Sequence, residues 1–299
     1  MHLYLGAIGL KSIISHKKLE HLIKKIIKEC IENDNIVIAT KNVSGDGLYQ
    51  AQIKYYFNKL YGLSINGFYN GKTKKFSMDH YYPFLDSSTK SFESEIIISR
   101  KTDKEAYNVL CDEPGRGIAL IFHLTNPVDY IESETPKGEF HDKAVRLAAM
   151  SNDGSILLPV KKSECQIKKC QAAIAAKNKL IKMAKQGDQA AMDNLTIDEI
   201  DTYTDIYKRM RKEDVLTIVD TSFMPSGFEC DSYSVIGNII ETKLCSNNLT
   251  GEEVYILTLE CNDIMLDLCI NKEDVIGIPE YGRRFKGNIW LQGQVELVG

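Results

Sequence analysis

In a chain of 299 residues, 43% apolar and 26% charged with only 7 Pro and 20 Gly, neither a fibrous repeat nor a disordered chain is indicated, and there is length for two domains with cores of their own. A net charge of −4 with an isoelectric point near 5.9 excludes a surface that is wholly an electrostatic trap for nucleic acid, although it leaves room for a local basic patch. No run approaches the ~20 apolar residues that cross a bilayer, and the eight cysteines are scattered rather than spaced as a disulfide framework, so a soluble, reduced, cytoplasmic protein is expected.

The apolar start Met1–Leu10 lacks the basic region and small-residue cleavage site of a signal peptide and reads as a first strand. Leu19, Leu22, Ile23, Ile26, Ile27 and Cys30 recur at three- and four-residue steps, which predicts an amphipathic helix over His16–Glu32; Lys17, Lys18, Lys24, Lys25 and Lys28 form its solvated face. The period then drops to two: Tyr49, Ala51, Ile53 and Tyr55 alternate with Gln50, Gln52, Lys54 and Tyr56, the pattern of a half-buried strand. Further strands are predicted near 63–69, 76–85, 95–99, 118–124, 144–149 and 156–160, with Asn70-Gly71 as a hairpin turn. Over 163–213 the composition turns to Ala, Lys, Gln and Glu; a long helix is expected to end at Gly187, and Thr196-Ile197-Asp198-Glu199 is a capping box for another. Beyond it, segments 233–244, 253–260, 264–270, 288–291 and 294–298 suit five strands, with one helical turn at 271–275.

The expected fold is therefore α+β. A mainly antiparallel N-terminal sheet with helices occupies 1–162, a helical connector 163–213, and a small five-stranded β-barrel of oligonucleotide-binding-like or SH3-like type 214–299.

Met1-His2-Leu3-Tyr4-Leu5 with Ala7-Ile8-Gly9, Gly154–Pro159, Ser222–Pro225, Asp231–Gly237 and above all Arg283–Gly293 carry a full-length resemblance. The chain resembles a family of uncharacterised proteins of about this size from anaerobic Gram-positive bacteria, a domain of unknown function. The resemblance implies a cytosolic bacterial protein and assigns no catalytic residue, cofactor or substrate.

Arg283, Arg284, Lys286 and Trp290 form the candidate binding cluster, since on a barrel such cations neutralise phosphate while an aromatic stacks on a base. The competing reading has Trp290 plugging the barrel and the arginines pairing with Glu280 or Glu273. Gly71-Lys72-Thr73 is no phosphate loop: position 66 is Asn where glycine is required, and a strand-like run follows where a helix must receive the anion. Cys165 with Cys170, Cys261 with Cys269, and the histidines at 80, 123 and 141 have no zinc spacing, so no metal or cofactor is assigned, and Cys261 and Cys269 read as core. No nucleophile elbow occurs. His123, His141 and Asp142 are the residues an acid–base site would use.

Three functions follow in order: a non-enzymatic binding or regulatory protein for a protein partner or small ligand; a hydrolase or transferase at His123, His141 and Asp142; and a single-strand nucleic-acid binder through the barrel, which the net charge does not favour.

Overall fold

The computed structural model describes residues 2–13, 15–42, 47–102, 104–113, 118–133, 138–160, 176, 179–180, 183, 187–194 and 214–297. The cysteines at 165 and 170, the capping box at 196–199 and most of the expected connector lie outside them. The protein is mostly β.

Residues Leu3–Ile8 form a 3-10 helix rather than a first strand, stopped by Gly9 at φ +75. Leu5, Ala7 and Ile8 fill a core between two sheets. Helix α1 (His16–Glu32) has the expected bounds and buries Leu19, Ile23, Ile26 and Cys30. Strands β1 (Val37–Asn42), β2 (Leu48–Tyr56), β3 (Tyr61–Asn70) and β4 (Lys75–Leu85) make an antiparallel sheet in chain order. The Asn70 side chain closes the β3–β4 turn by accepting from the N–H groups of Lys72 and Thr73, so Gly71-Lys72-Thr73 is a hairpin loop.

The remaining strands are β5 (Phe92–Arg100), β6 (Tyr107–Glu113), β7 (Ile118–Leu124), β8 (Glu139–Ser151), β9 (Gly154–Leu157), β10 (Ser222–Pro225), β11 (Ser232–Ser246), β12 (Glu253–Cys261), β13 (Ile264–Asn271), β14 (Val275–Ile276) and β15 (Arg284–Val295). Two short helices, α2 (Pro127–Glu132) and α3 (Val215–Ile218), lie among them, and Lys272–Asp274 is the expected single turn.

The five-stranded C-terminal barrel is corrected by the pairing. An eight-stranded barrel closes in the order β11-β12-β13-β8-β5-β6-β7-β15, back to β11, and β15 pairs across to β8 as well. Three parallel ladders, β13 with β8 and β15 with β7 in the barrel and β14 with β9 beside it, join the front and back of the chain across the boundary expected between 162 and 214. The last two expected strands are one continuous strand, β15, so the C-terminal stretch has too few strands to close on itself. Four strands from the front half complete the circuit, and one apolar interior runs from Phe92 through Leu147 to Phe285 and Leu297.

Gly287 and Gly293 are close-approach positions inside β15, not strand breaks. A Cβ at 287 would stand 2.4 Å from the Asp153 carbonyl oxygen, and one at 293 would stand 2.9 Å from the Phe122 ring. Gly287→Ala is expected to destabilise the protein by about 1–3 kcal/mol, because backbone must shift to admit the methyl; a urea melt checks this.

The four-stranded sheet packs on the barrel's outer wall. Odd residues of β15 such as Ile289 and Leu291 point into the barrel, whereas Trp290 joins Ala148, Met150, Ile256 and Cys269 in a second core with Ile53, Leu63, Ile65 and α1. These barrel strands are buried on both faces, which is why they read as near-continuous apolar runs. Among the described residues, no helix is long and apolar enough to cross a membrane.

Candidate functional site

Alternation in β2, β3 and β4 sets a second row on the face opposite Ile53, Leu63 and Ile65: Gln50, Gln52, Ser64, Asn66 and Tyr82. These residues are buried, because the row lies against the barrel wall formed by β6, β7 and β15. The result is a polar seam between two sheets.

Most of the seam is hydrogen-bonded. The Gln52 amide nitrogen donates to Ser64 Oγ at 3.0 Å, to the Thr125 carbonyl at 3.1 Å and towards Tyr82 Oη at 3.3 Å, and Asn66 Nδ2 donates to Ser64 Oγ at 3.1 Å. Gln50 Nε2 donates to Glu105 Oε2 at 2.6 Å. Among the described residues seven buried side-chain atoms have no hydrogen-bond partner; Tyr61 Oη, Thr242 Oγ1 and Asp274 Oδ2 are scattered, and the other four gather at the seam: Asn66 Oδ1, Asn108 Oδ1, and both ring nitrogens of His123. Asn108 and His123 are directly opposed across β6 and β7. A cavity of about 10 Å³, lined by Gln50, Asn66, Gly67, Glu105, Pro127 and Val128, opens beside Asn66. That is room for about one water.

Aromatic rings enclose His123. The Tyr82 ring meets it edge-on at 4.4 Å between centroids and Trp290 lies at 5.3 Å. Trp290 in turn contacts the His2 ring at 4.7 Å and stacks with Tyr4 at 5.9 Å, while His80 stacks on Tyr82 at 5.9 Å. Burial holds all three imidazoles towards the neutral form. His123 falls well below the ordinary histidine value, chiefly by desolvation and then by the positive field of Lys101 and the other basic groups; His2 falls to about 4 for the same first reason, with Lys104 adding to it. His80 is also lowered by burial, against the opposing pull of Asp79, whose Oδ2 lies 2.9 Å from His80 Nδ1. Burial pushes the Tyr82 hydroxyl up to about 12.

The structure separates the sequence-derived candidates. Arg283 pairs with Glu280 at 2.7 Å and donates to the Ile278 carbonyl. Arg284 is buried, and its guanidinium donates from Nε to the Leu158 carbonyl at 2.9 Å, from Nη1 to Val219 at 2.8 Å and from Nη2 to Leu216 at 2.8 Å. It ties the backbone just after β9 to that of α3 and the residue following it. Lys286 is exposed, and Trp290 is buried in the seam, outside the barrel rather than plugging it. The four residues therefore do not share one open face.

His123, His141 and Asp142 do not share a cleft either. His123 is buried on β7, whereas His141 and Asp142 are exposed on β8, with His141 Nδ1 at 3.2 Å from Glu95 Oε1. Cys261 lies in the barrel interior and Cys269 in the core between barrel and sheet, with Sγ 3.3 Å from the Ala7 carbonyl oxygen. Among the described residues no three His, Cys, Asp or Glu side chains are grouped to hold a metal. Sequence reasoning missed His2, Tyr82, Asn66 and Asn108 as site residues and weighed His80 only as a metal ligand. The available signal was the polar half of the β2–β4 alternation, which is indistinguishable in sequence from a solvated face.

No protein with a curated description and no solved structure gives a significant match to this chain. Residues 5–293 match the family described as "Domain of unknown function, E. rectale Gene description (DUF3881)", so from the 3-10 helix to the end of the seam the chain belongs to that family.

Proposed function

We propose that the protein is a non-enzymatic binding protein of the cytoplasm, and that it holds a small polar ligand in the seam between the four-stranded sheet and the barrel. The observation that carries this reading is the set of four buried atoms without a protein partner, in a layer whose neighbours are bonded. Each such atom destabilises a fold by about 1–3 kcal/mol when nothing bonds to it, and native proteins keep few of them outside functional sites. Two amide oxygens accept, and a neutral imidazole offers one acceptor and one donor. The complementary ligand presents N–H or O–H donors, as an amide, amine or polyol does. Its polar head has the size of about one water in the closed seam, so anything larger enters as the sheet parts from the barrel.

The cytoplasmic assignment is supported by Cys30, Cys261 and Cys269, which are buried and form no disulfide, and an anaerobic Gram-positive host by the resemblance of the sequence. The enzyme reading is disfavoured by the separation of His123 from His141 and Asp142. Burial of Arg284 and Trp290 leaves the nucleic-acid reading with only Arg283 and Lys286 near solvent.

Native mass spectrometry of the full chain, purified gently from its own host, tests the proposal. A small-molecule adduct is expected on the wild type and on Lys286→Glu, and its loss on Asn66→Leu and on His123→Phe. A bare chain in every case, or an adduct indifferent to both seam substitutions, overturns it.

A further inference from the structure

Three of the six histidines converge on one place from three separate elements: His2 from the N-terminal segment, His80 from β4 and His123 from β7. They surround Tyr82 and Trp290, an aromatic contact between the four-stranded sheet and the barrel wall. We propose that this histidine cluster is an acid-sensitive latch, and that protonation of His123, with His80 and His2 beside it, parts the four-stranded sheet from the barrel.

The geometry gives an imidazolium at His123 nowhere to place its charge. Both ring nitrogens lack a protein partner where the ring packs against Tyr82 and Trp290, and the unpartnered acceptor opposite in register is the neutral amide oxygen of Asn108, so a second N–H finds no carboxylate to offset its charge. The charged groups around the seam do not supply one. From β4, Asp79 is engaged with His80 and with the Glu105 N–H; from the β5–β6 connection, Lys101 and Lys104 add positive charge, and Glu105 is held by Arg100. Asp231, just before β11, is bound to Lys101 at 3.3 Å. From β6, the group facing His123 is the neutral amide of Asn108, and from β15 the neutral Trp290 and Gln292.

The sign follows from linkage. A histidine whose folded value lies below its ordinary 6.5 binds its proton more readily once released, so the closed state is fully favoured above that pH and loses ground as pH falls towards the folded value, about 4 for His2. Each such histidine shifts the open-to-closed ratio by up to about tenfold per pH unit within that window. The charge enters a seam rather than the barrel interior, so the sheet-to-barrel contact yields first. This inference does not rest on ligand binding, and the ligand-free chain is the material for its test.

Trp290 is the one tryptophan in the chain and sits in the latch, so its emission reports the seam directly. In an acid titration of the full chain from about pH 8 to about pH 4, emission is expected to shift red and acrylamide quenching to rise below pH 6.5, reversibly, while far-UV circular dichroism keeps its β signal. His123→Phe is expected to move the midpoint down by about one pH unit. His123→Gln, which keeps a polar side chain but cannot take up the proton, is expected to do the same and serves if the Phe variant does not fold. Emission that stays constant across the window overturns the latch. So does a midpoint unchanged in both variants, or loss of the β signal at the same pH as the shift.

Discussion

Arg284→Met is expected to lower the stability of the folded chain by about 2–4 kcal/mol, read as a fall in the urea midpoint at unchanged slope. The guanidinium is 4% exposed and fans its donors to three carbonyl oxygens, those of Leu158, Leu216 and Val219, each within 2.9 Å. A methionine fills much of the stem's volume but leaves those oxygens without a donor. The Leu158 carbonyl belongs to a residue 73% exposed and can turn to water, which keeps the expected loss below the sum of three charged hydrogen bonds. Arg284→Lys should restore less than half of the stability, since one ammonium cannot reach three diverging acceptors as a planar fork does. Lys286→Glu, two residues along the same strand but exposed, should stay within about 0.5 kcal/mol of the wild type. If the Arg284 and Lys286 variants melt together, the stapling of the backbone after β9 to that of α3 is of no consequence for stability.

Gln292→Leu is expected to have a comparable effect, about 2–5 kcal/mol, for a different reason. Gln292 is fully buried in β15, where Oε1 accepts the Leu85 N–H at 3.3 Å and Nε2 donates to the Pro83 carbonyl at 3.1 Å. Those two groups are at the end of β4, so this amide is one of the hydrogen-bonded fastenings of the four-stranded sheet to the barrel wall, beside that of Gln52 to the Thr125 carbonyl. Leucine is similar in size and leaves both backbone groups buried and unpaired. Hydrogen exchange should show the Leu85 amide losing protection first, with barrel amides such as Leu268 still slow. Because Gln292 is in register with His123, the same variant is expected to raise the midpoint pH at which Trp290 becomes exposed. A Leu85 amide that exchanges no faster than in the wild type would show that the fastening lies elsewhere.

Both residues lie on β15, and of the two only Arg284 was singled out in the sequence. Arg284 was singled out as chemically unusual, but for solvent-facing chemistry; nothing local reveals that three carbonyls from residues 65 to 126 positions away close over it. Trp290 was placed in the right strand and on the wrong surface. The sequence reading put it on an open binding face or inside the barrel; it lies on the face opposite Ile289 and Leu291, and the sequence carries no sign that this outer face is covered by another sheet. His123 was read as a sheet residue or an acid–base candidate, and its meeting with His2 and His80 depends on three segments that are far apart along the chain.

Local period alone determined α1, the β2–β4 meander with its Asn70 turn, and the strands β11, β12 and β13, because each is written in side-chain spacing over a dozen residues. The tertiary structure alone decided that the barrel has eight strands, that its parallel ladders join β13 to β8 and β15 to β7, and that the polar row of Gln50, Gln52, Ser64 and Asn66 is an interior. The physical reason is the same in each case. A strand's spacing fixes which side chains share a face, whereas what covers that face is set by pairing between segments more than a hundred residues apart, which leaves no periodic trace in either one.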